Sequence, residues 1–279
     1  YEFAGPCVEM VLMTGTLVNG RLDTAYPAIQ AIEPGYYPFG YQQFLGAHAY
    51  LDERDRPIAW HSHERISQIL ARHGIRRTFE QVFGHQEVVK EVQWLEMSPK
   101  QRAAYQQFEA EAFLELEDFM IDGTLPGVAT TRARQIMEHP NMFPDLRDPD
   151  HKLKLPPVDI TPGELPAKLQ ALEIDFEDLR RTGEPGIVFA AYKPQMRQIA
   201  ELATAKGLRV APIMNSDANA KAKQEADEGF VAGRYDLIVG SPPVCAVGFN
   251  WQFWGPALQE VSFVNFTSLT YMDSDFIQG

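Results

Sequence analysis

Apolar residues gather along this chain in two different rhythms. Short, mostly apolar segments occupy Val8–Met13, Gly186–Ala191, Leu208–Ile213, Tyr235–Gly240 and Val261–Phe266. Segments of this length, closed by small or polar residues, fit strands buried on both faces of a parallel sheet. A period of three and four governs other stretches, which predicts helices over Arg65–Arg77, Ser98–Met120, Pro194–Lys206 and Ala218–Ala232. In the second of these, Tyr105, Phe108, Ala112, Leu116 and Phe119 share one face. Ser98 reads as its N-cap, Pro99 as its first residue and Gln101 as the partner in a capping box. Gly207 closes the third. Strand and helix alternating after Gly186 predict an α/β domain with a parallel sheet and covering helices. Before it, Pro140, Pro144, Pro149, Pro156, Pro157, Pro162 and Pro166 crowd a stretch with few large apolar residues, as an extended linker does.

Length and charge narrow the classes. The 279 residues suffice for two domains, and 45% hydrophobic with 23% charged is an ordinary globular balance. Twenty-five basic against 38 acidic residues give −13, which argues against a generally nucleic-acid-coating surface but leaves room for a local basic groove. Cys7 and Cys245 lie far apart, so neither a disulfide framework nor a cysteine zinc site is expected, and a reducing cytosol fits. No apolar run approaches about 18 residues, the length a membrane helix needs. The chain starts at Tyr1 without methionine or signal peptide, so a longer polypeptide is expected.

Several segments carry candidate chemistry. Thr14-Gly15-Thr16-Leu17-Val18-Asn19-Gly20 reads either as a strand-end turn whose hydroxyls serve backbone groups or as a polar contact to phosphate. Arg76 and Arg77 are a solvated pair or a site for phosphate or an acidic segment. His139 has no second ligand at a productive spacing and reads as a helix-terminating residue; His61, His63, His73 and His85 lack carboxylate or cysteine partners at diagnostic offsets, so no metal site is expected. Lys168 opens a helix, there to meet a phosphate, a carboxylate or solvent. Ser241 follows the Tyr235–Gly240 strand at what would be the carboxyl edge of the sheet, where such sheets bind ligands. Gly248 allows close backbone approach, and Asn250 can bridge to phosphate.

In this order the segments resemble the later motifs of Swi/Snf-type DNA translocases of helicase superfamily two. Thr14 to Gly20 is similar to T-G-T-P-x-x-N, with Leu17 at the proline position and the asparagine one place early. Arg76 to Val82 is similar to L-R-R-x-K-x-x-V, and it precedes a strand such as Glu87–Leu95. His139 to Phe143 is similar to H-P-x-L-F, and Leu165 to Leu169 to S-x-K-L. Ser241 to Trp251 is similar to S-x-x-x-x-x-x-G-x-N-L, and Asp275 to Gly279 to the start of Q-x-x-x-R-x-x-R. The resemblance implies the end of a first RecA-like lobe over 1–34, a mainly helical insertion and return to that lobe over 35–143, a proline-rich linker over 144–164 and a second RecA-like lobe over 165–279. It implies a DNA-dependent ATPase moving on double-stranded DNA, with ATP and Mg held mainly by residues upstream of Tyr1, since no Walker A or Walker B segment is present. Gln278 would be catalytic, Gly248, Asn250 and Gln278 would touch nucleotide, and Thr14, Gly15, Thr16, Arg76, Arg77, Lys168 and Ser241 would touch DNA. The implied partners are double-stranded DNA and the remainder of the first lobe, in bacterial or phage-infected cytoplasm or at the nucleoid. This chain alone would hydrolyse little ATP. Two other readings stay open: a non-catalytic nucleic-acid or protein binding module derived from such a motor, and a motor of another superfamily-two type.

Overall fold

The computed structural model describes residues 10–14, 17–18, 21–78, 81–82, 84, 89–116, 119–124, 126–143, 157–245 and 249–268. They divide into two compact units, one running to Glu91 and one from Val92.

The first unit forms around aromatic rings. Helices α1 (Tyr26–Ile32), α2 (Tyr41–His48) and α3 (His63–His73) close on Tyr26, Ile29, Tyr37, Phe44, Ile66 and Ile69. Tyr26 and Tyr37 each lie 5.3 Å from Phe44, ring centre to ring centre, in tilted and edge-on packing. The buried Tyr37 hydroxyl meets His48 Nε2 at 2.7 Å. Strands β1 (Ala49–Leu51) and β2 (Pro57–Trp60) pair antiparallel. Asp52 holds their turn by accepting from the Arg54 and Arg56 amides.

Met10 to Met13, expected as a buried strand, is not one. The described part is irregular, with Val11 and Met13 exposed. A parallel strand needs neighbours on its ladder, and among the described residues none lies beside it. Residues 89–95 of the expected Glu87–Leu95 strand are likewise irregular and exposed, for the same reason; 87 and 88 lie outside the described residues.

In the second unit, α4 spans Pro99–Glu111 and stops nine residues short of the expected helix end at Met120 (120 − 111 = 9). Ala112 turns left-handed at φ 52°, and β3 (Phe113–Leu116) pairs with β4 (Phe119–Asp122). Leu114 and Ile121 face each other across this hairpin and are both buried. The same apolar residues satisfy a period of two as well as one of three to four, and cross-strand burial wins. The capping box is also absent, because Ser98 makes no side-chain cap. Gln101 turns inward instead, donating to the Ile136 and Met137 carbonyls and accepting from the Ala167 amide. The Glu164 carboxylate meets the Lys100 amide in place of the box.

Helix α5 (Pro126–Glu138) and a 3-10 turn (Pro140–Met142) lead to Phe143, which bridges antiparallel to Val158. The linker residues 144–156 lie outside the described residues. Then come α6 (Ala167–Thr182), β5 (Gly186–Phe189), α7 (Lys193–Ala205), α8 (Ala220–Val231), β6 (Leu237–Gly240) and a single turn, α9 (Pro242–Cys245). A two-residue hairpin pair follows, β7 (Phe253–Trp254) with β8 (Gln259–Glu260), and last comes β9 (Phe263–Phe266). The sheet order is β6-β5-β9, all parallel.

Every residue of β5 and β6 is buried. Val188, Leu237 and Val239 face Leu172, Phe176 and Ile199, while Ile187, Phe189 and Ile238 face Phe230, Met214 and Trp251. Covering on both sides explains why these strands read as unbroken apolar runs. The expected strand Leu208–Ile213 reduces to single parallel bridges, Val210 to Leu237 and Met214 to Gly240. Pro212 lies between them and has no amide hydrogen for the ladder.

Gly240 ends β6 where a Cβ would lie 2.5 Å from Cys245 Sγ and 3.2 Å from the Met214 carbonyl oxygen. Gly240→Ala is therefore expected to lower unfolding stability by about 1–3 kcal/mol, through overpacking against the buried Cys245 sulfur and, behind it, Met214. Urea denaturation at neutral pH reads the loss, and an unchanged midpoint would show that this strand end is loosely packed.

Candidate functional site

Register aligns the carboxyl ends of the strands: Phe189 pairs with Gly240 on one side and Phe266 on the other. The next residues, Ala190, Ser241 and Thr267, therefore share one edge. Ser241 is half-buried there. Its amide donates to the Met214 carbonyl at 2.9 Å and its own carbonyl accepts from Val244 and Cys245, which starts the α9 turn. Beneath it, burial pushes the Cys245 thiol up to about 12, leaving it a packing group rather than a nucleophile.

At the β9 end of this edge a polar cluster forms around Glu138, the last residue of α5. Its Oε2 accepts from Lys168 Nζ at 2.8 Å and from Gln195 Nε2 at 2.7 Å. Ser268 Oγ lies 2.8 Å from both Glu138 Oε2 and Gln195 Oε1, and its one proton serves one of them at a time. Lys168 Nζ also donates to the Thr267 carbonyl at 2.6 Å. Gln198 ties the adjoining turn by donating to Asn141 Oδ1 at 2.6 Å.

Next to the cluster, His139 is buried with its ring edge-on to Tyr192, 4.9 Å between centres. Neither ring nitrogen has a hydrogen-bond partner, and burial lowers its pKa to about 4, so the imidazole is neutral at pH 7. His139 follows the last residue of α5 and precedes the 3-10 turn Pro140–Met142.

The predicted site residues fall in both units. Thr14, Arg76 and Arg77 belong to the first unit; all three are exposed, in irregular backbone, and Arg77 donates to the Arg76 carbonyl. Lys168, Ser241 and Asn250 belong to the second. Ser241 follows β6 while Lys168 meets the end of β9, so β5 lies between them, and Asn250 is exposed. Gly15, Thr16, Gly248 and Gln278 lie outside the described residues. The sequence reading missed Glu138, Gln195 and Ser268. The one signal available was polarity out of place: a glutamate directly before His-Pro, and a glutamine on the apolar face of α7. Among the described residues no group of three His, Cys, Asp or Glu side chains is arranged to hold a metal ion, and no helix is long and apolar enough to cross a membrane.

No family model and no curated protein matches the chain. Among solved structures, the crystal structure of the C-terminal part of the Fun30 ATPase domain aligns with a TM-score of 0.46 at 11% identity, over 67% of this chain and 76% of that one. A likeness of that degree says nothing of what this chain binds or does, and the α/β reading rests on the parallel sheet itself.

Two outcomes follow from the cluster. Glu138→Ala strips the Lys168 ammonium of its carboxylate and should cost about 2–3 kcal/mol, below the loss for a fully buried pair because the Lys168 side chain is 29% exposed. Lys168→Met should cost less, since Glu138 keeps Gln195 and Ser268 as donors; equal losses in urea melts would contradict this asymmetry. For His139 the folded pKa lies below the unfolded value of about 6.5, so the unfolded chain takes up the proton first. Its contribution to stability is intact above pH 6.5 and falls as pH drops toward about 4. From pH 7 to 5 the loss is about 2 kcal/mol, and His139→Gln should remove that component from the difference between melts at the two pH values.

Proposed function

We propose that this chain supplies the end of the first RecA-like lobe and the second lobe of an ATP-driven motor that moves on double-stranded DNA. The observation that carries the reading is the Ser241–Asn250 segment, which in motif order begins at the carboxyl end of β6, the first strand in the order of the parallel sheet, and the carboxyl edge is where sheets of this kind meet their ligands. The segments Thr14 to Gly20, Arg76 to Val82, His139 to Phe143 and Leu165 to Leu169 precede it in the order the translocase resemblance implies.

In this reading residues 1–34 and 35–143 belong to the first lobe and its insertion, 144–164 link the lobes, and 165–279 form the second. Gly248, Asn250 and Gln278 face the nucleotide, with Gln278 in the catalytic role. Thr14, Gly15, Thr16, Arg76, Arg77 and Ser241 face DNA. Lys168 reaches a DNA phosphate only by giving up Glu138 and the Thr267 carbonyl, which hold its amine. The described residues do not by themselves fit ATP with Mg: no acidic group of three gathers in them, and no phosphate-cradling glycine loop with lysine occurs in the sequence. In this reading the groups that hold triphosphate and metal come from another part of the motor, and this chain contributes the second wall.

ATP turnover by the longest native polypeptide containing this chain, with and without duplex DNA, tests the proposal. Turnover should rise with DNA and fall on the order of 10-fold in Asn250→Ala, the equivalent of one lost hydrogen bond at about 1.4 kcal/mol. Absence of turnover under every DNA condition would overturn the motor and leave a binding module.

A further inference from the structure

Between His61 and Thr78 the chain carries Arg65, Arg72, Arg76 and Arg77 against one acidic residue, Glu64, in a protein whose net charge is −13. No lysine occurs before Thr78, so these side-chain cations are guanidinium groups, whose planar forks meet two oxygens of a phosphate at once. Helix α3 sorts the residues by face. Ile66 and Ile69 enter the aromatic core, whereas Arg65, Gln68 and Arg72 follow one another at spacings of three and four and are exposed. Seven residues return Arg72 to the face of Arg65, two turns on and about 10 Å along the axis. Arg76 and Arg77 come just past the helix end at His73 and are exposed as well.

The fold does not balance this charge. Among the described residues no carboxylate pairs with any of the four arginines. The acids of this unit that form ion pairs do so elsewhere: Asp23 with Arg21, Asp52 with Arg56 and Glu33 with His73. Arg72 spends one donor on the Tyr36 hydroxyl, at 3.3 Å. The charge of Arg65 is felt by Tyr37 and His48, but burial raises the pKa of the first and lowers that of the second, so neither offers it an anion at pH 7. Arg72 stands in the last turn of α3, where a cation suits the helix dipole; Arg65 stands in the first, where a cation opposes it. Helix stability therefore does not account for the pair.

We infer that the Arg65–Gln68–Arg72 face of α3, continued by Arg76, docks the phosphate backbone of a nucleic acid. A line of cations on one helix matches a polymer that carries a charge on every unit, and Gln68 adds a neutral donor between them. Contacts of this kind position the backbone without reading bases, so the face binds irrespective of sequence. It adds α3 to the DNA contacts of the motor proposed above, yet it rests on charge alone and operates without ATP.

The salt dependence of binding tests it: the full chain is titrated with a short DNA duplex in the absence of ATP over a range of salt concentrations. In the double variant Arg65→Gln, Arg72→Gln, affinity at low salt should fall, and the slope of log affinity against log salt should shrink by about 2, one for each lost phosphate contact. Both sites are exposed and glutamine is a good helix former, so α3 is retained. The pair Arg65→Lys, Arg72→Lys keeps the charge and should keep the slope. Arg181→Gln, which alters an exposed arginine paired with Asp178 in the other unit, should leave affinity and slope unchanged. An equal slope in wild type and the glutamine variant, or no binding of the duplex at low salt, would overturn the inference. So would binding of polyglutamate in place of the duplex, which would assign the face to an acidic protein segment. DNA-stimulated ATP turnover in the longest native polypeptide is read separately, so loss of this face leaves the motor reading standing.

Discussion

A carboxylate removed from water must be met by donors, and in the second unit that requirement falls on Glu138, whose side chain is 5% exposed. It is met from 30, 57 and 130 residues away, by Lys168, Gln195 and Ser268. The start of α6, the start of α7 and the end of β9 are thereby drawn to the last turn of α5. Gln101 repeats the device in the same turn, capping the Ile136 and Met137 carbonyls with one end of its amide and the first turn of α6 with the other. Helical segment and sheet edge are fastened by polar groups whose separation would expose unpaired charge.

This constraint decides where the site can be. The parallel sheet alone would define a carboxyl edge along β6, β5 and β9, open along its length. Glu138 and its partners occupy the β9 end; at the β6 end, by Ser241 and the turn of α9, Gly240 is closely packed against Cys245 and Met214. All of these groups belong to one compact unit. The cluster is accordingly a fastening inside that unit and not a hinge.

How much of this was legible in the sequence depends on the reach of the interaction. The runs Gly-Ile-Val-Phe and Leu-Ile-Val-Gly announce strands covered on both faces, and the register then places Ser241 at the sheet edge without further information. Local rules failed where a distant partner outbid a near one. Gln101 stands at the capping-box position, yet its amide is worth more to two buried carbonyls than to one exposed amide. Phe113 to Leu116 continues a helical face, yet Leu114 meets Ile121 across a hairpin. Pro212 could have been weighed as a break in an otherwise strand-like segment. Glu138 gave only the sign of a glutamate directly before His-Pro, because each of its partners lies in another element.

Lys168 and Arg132 show why polarity in the sequence does not sort structural from functional charge. Both are basic, both half-buried, and both lie close to the same helix end. The short motif around Lys168 made it the functional candidate, whereas Arg132 stood in no motif at all. In the fold the lysine is held by a carboxylate and a carbonyl, its charge balanced at home. The arginine has one amide oxygen and two aromatic neighbours, and its Nε is left without an acceptor. A balanced charge explains itself by the stability it gives. A half-buried guanidinium stacked on an aromatic face and bonded to an amide oxygen is held by weaker contacts than an ion pair.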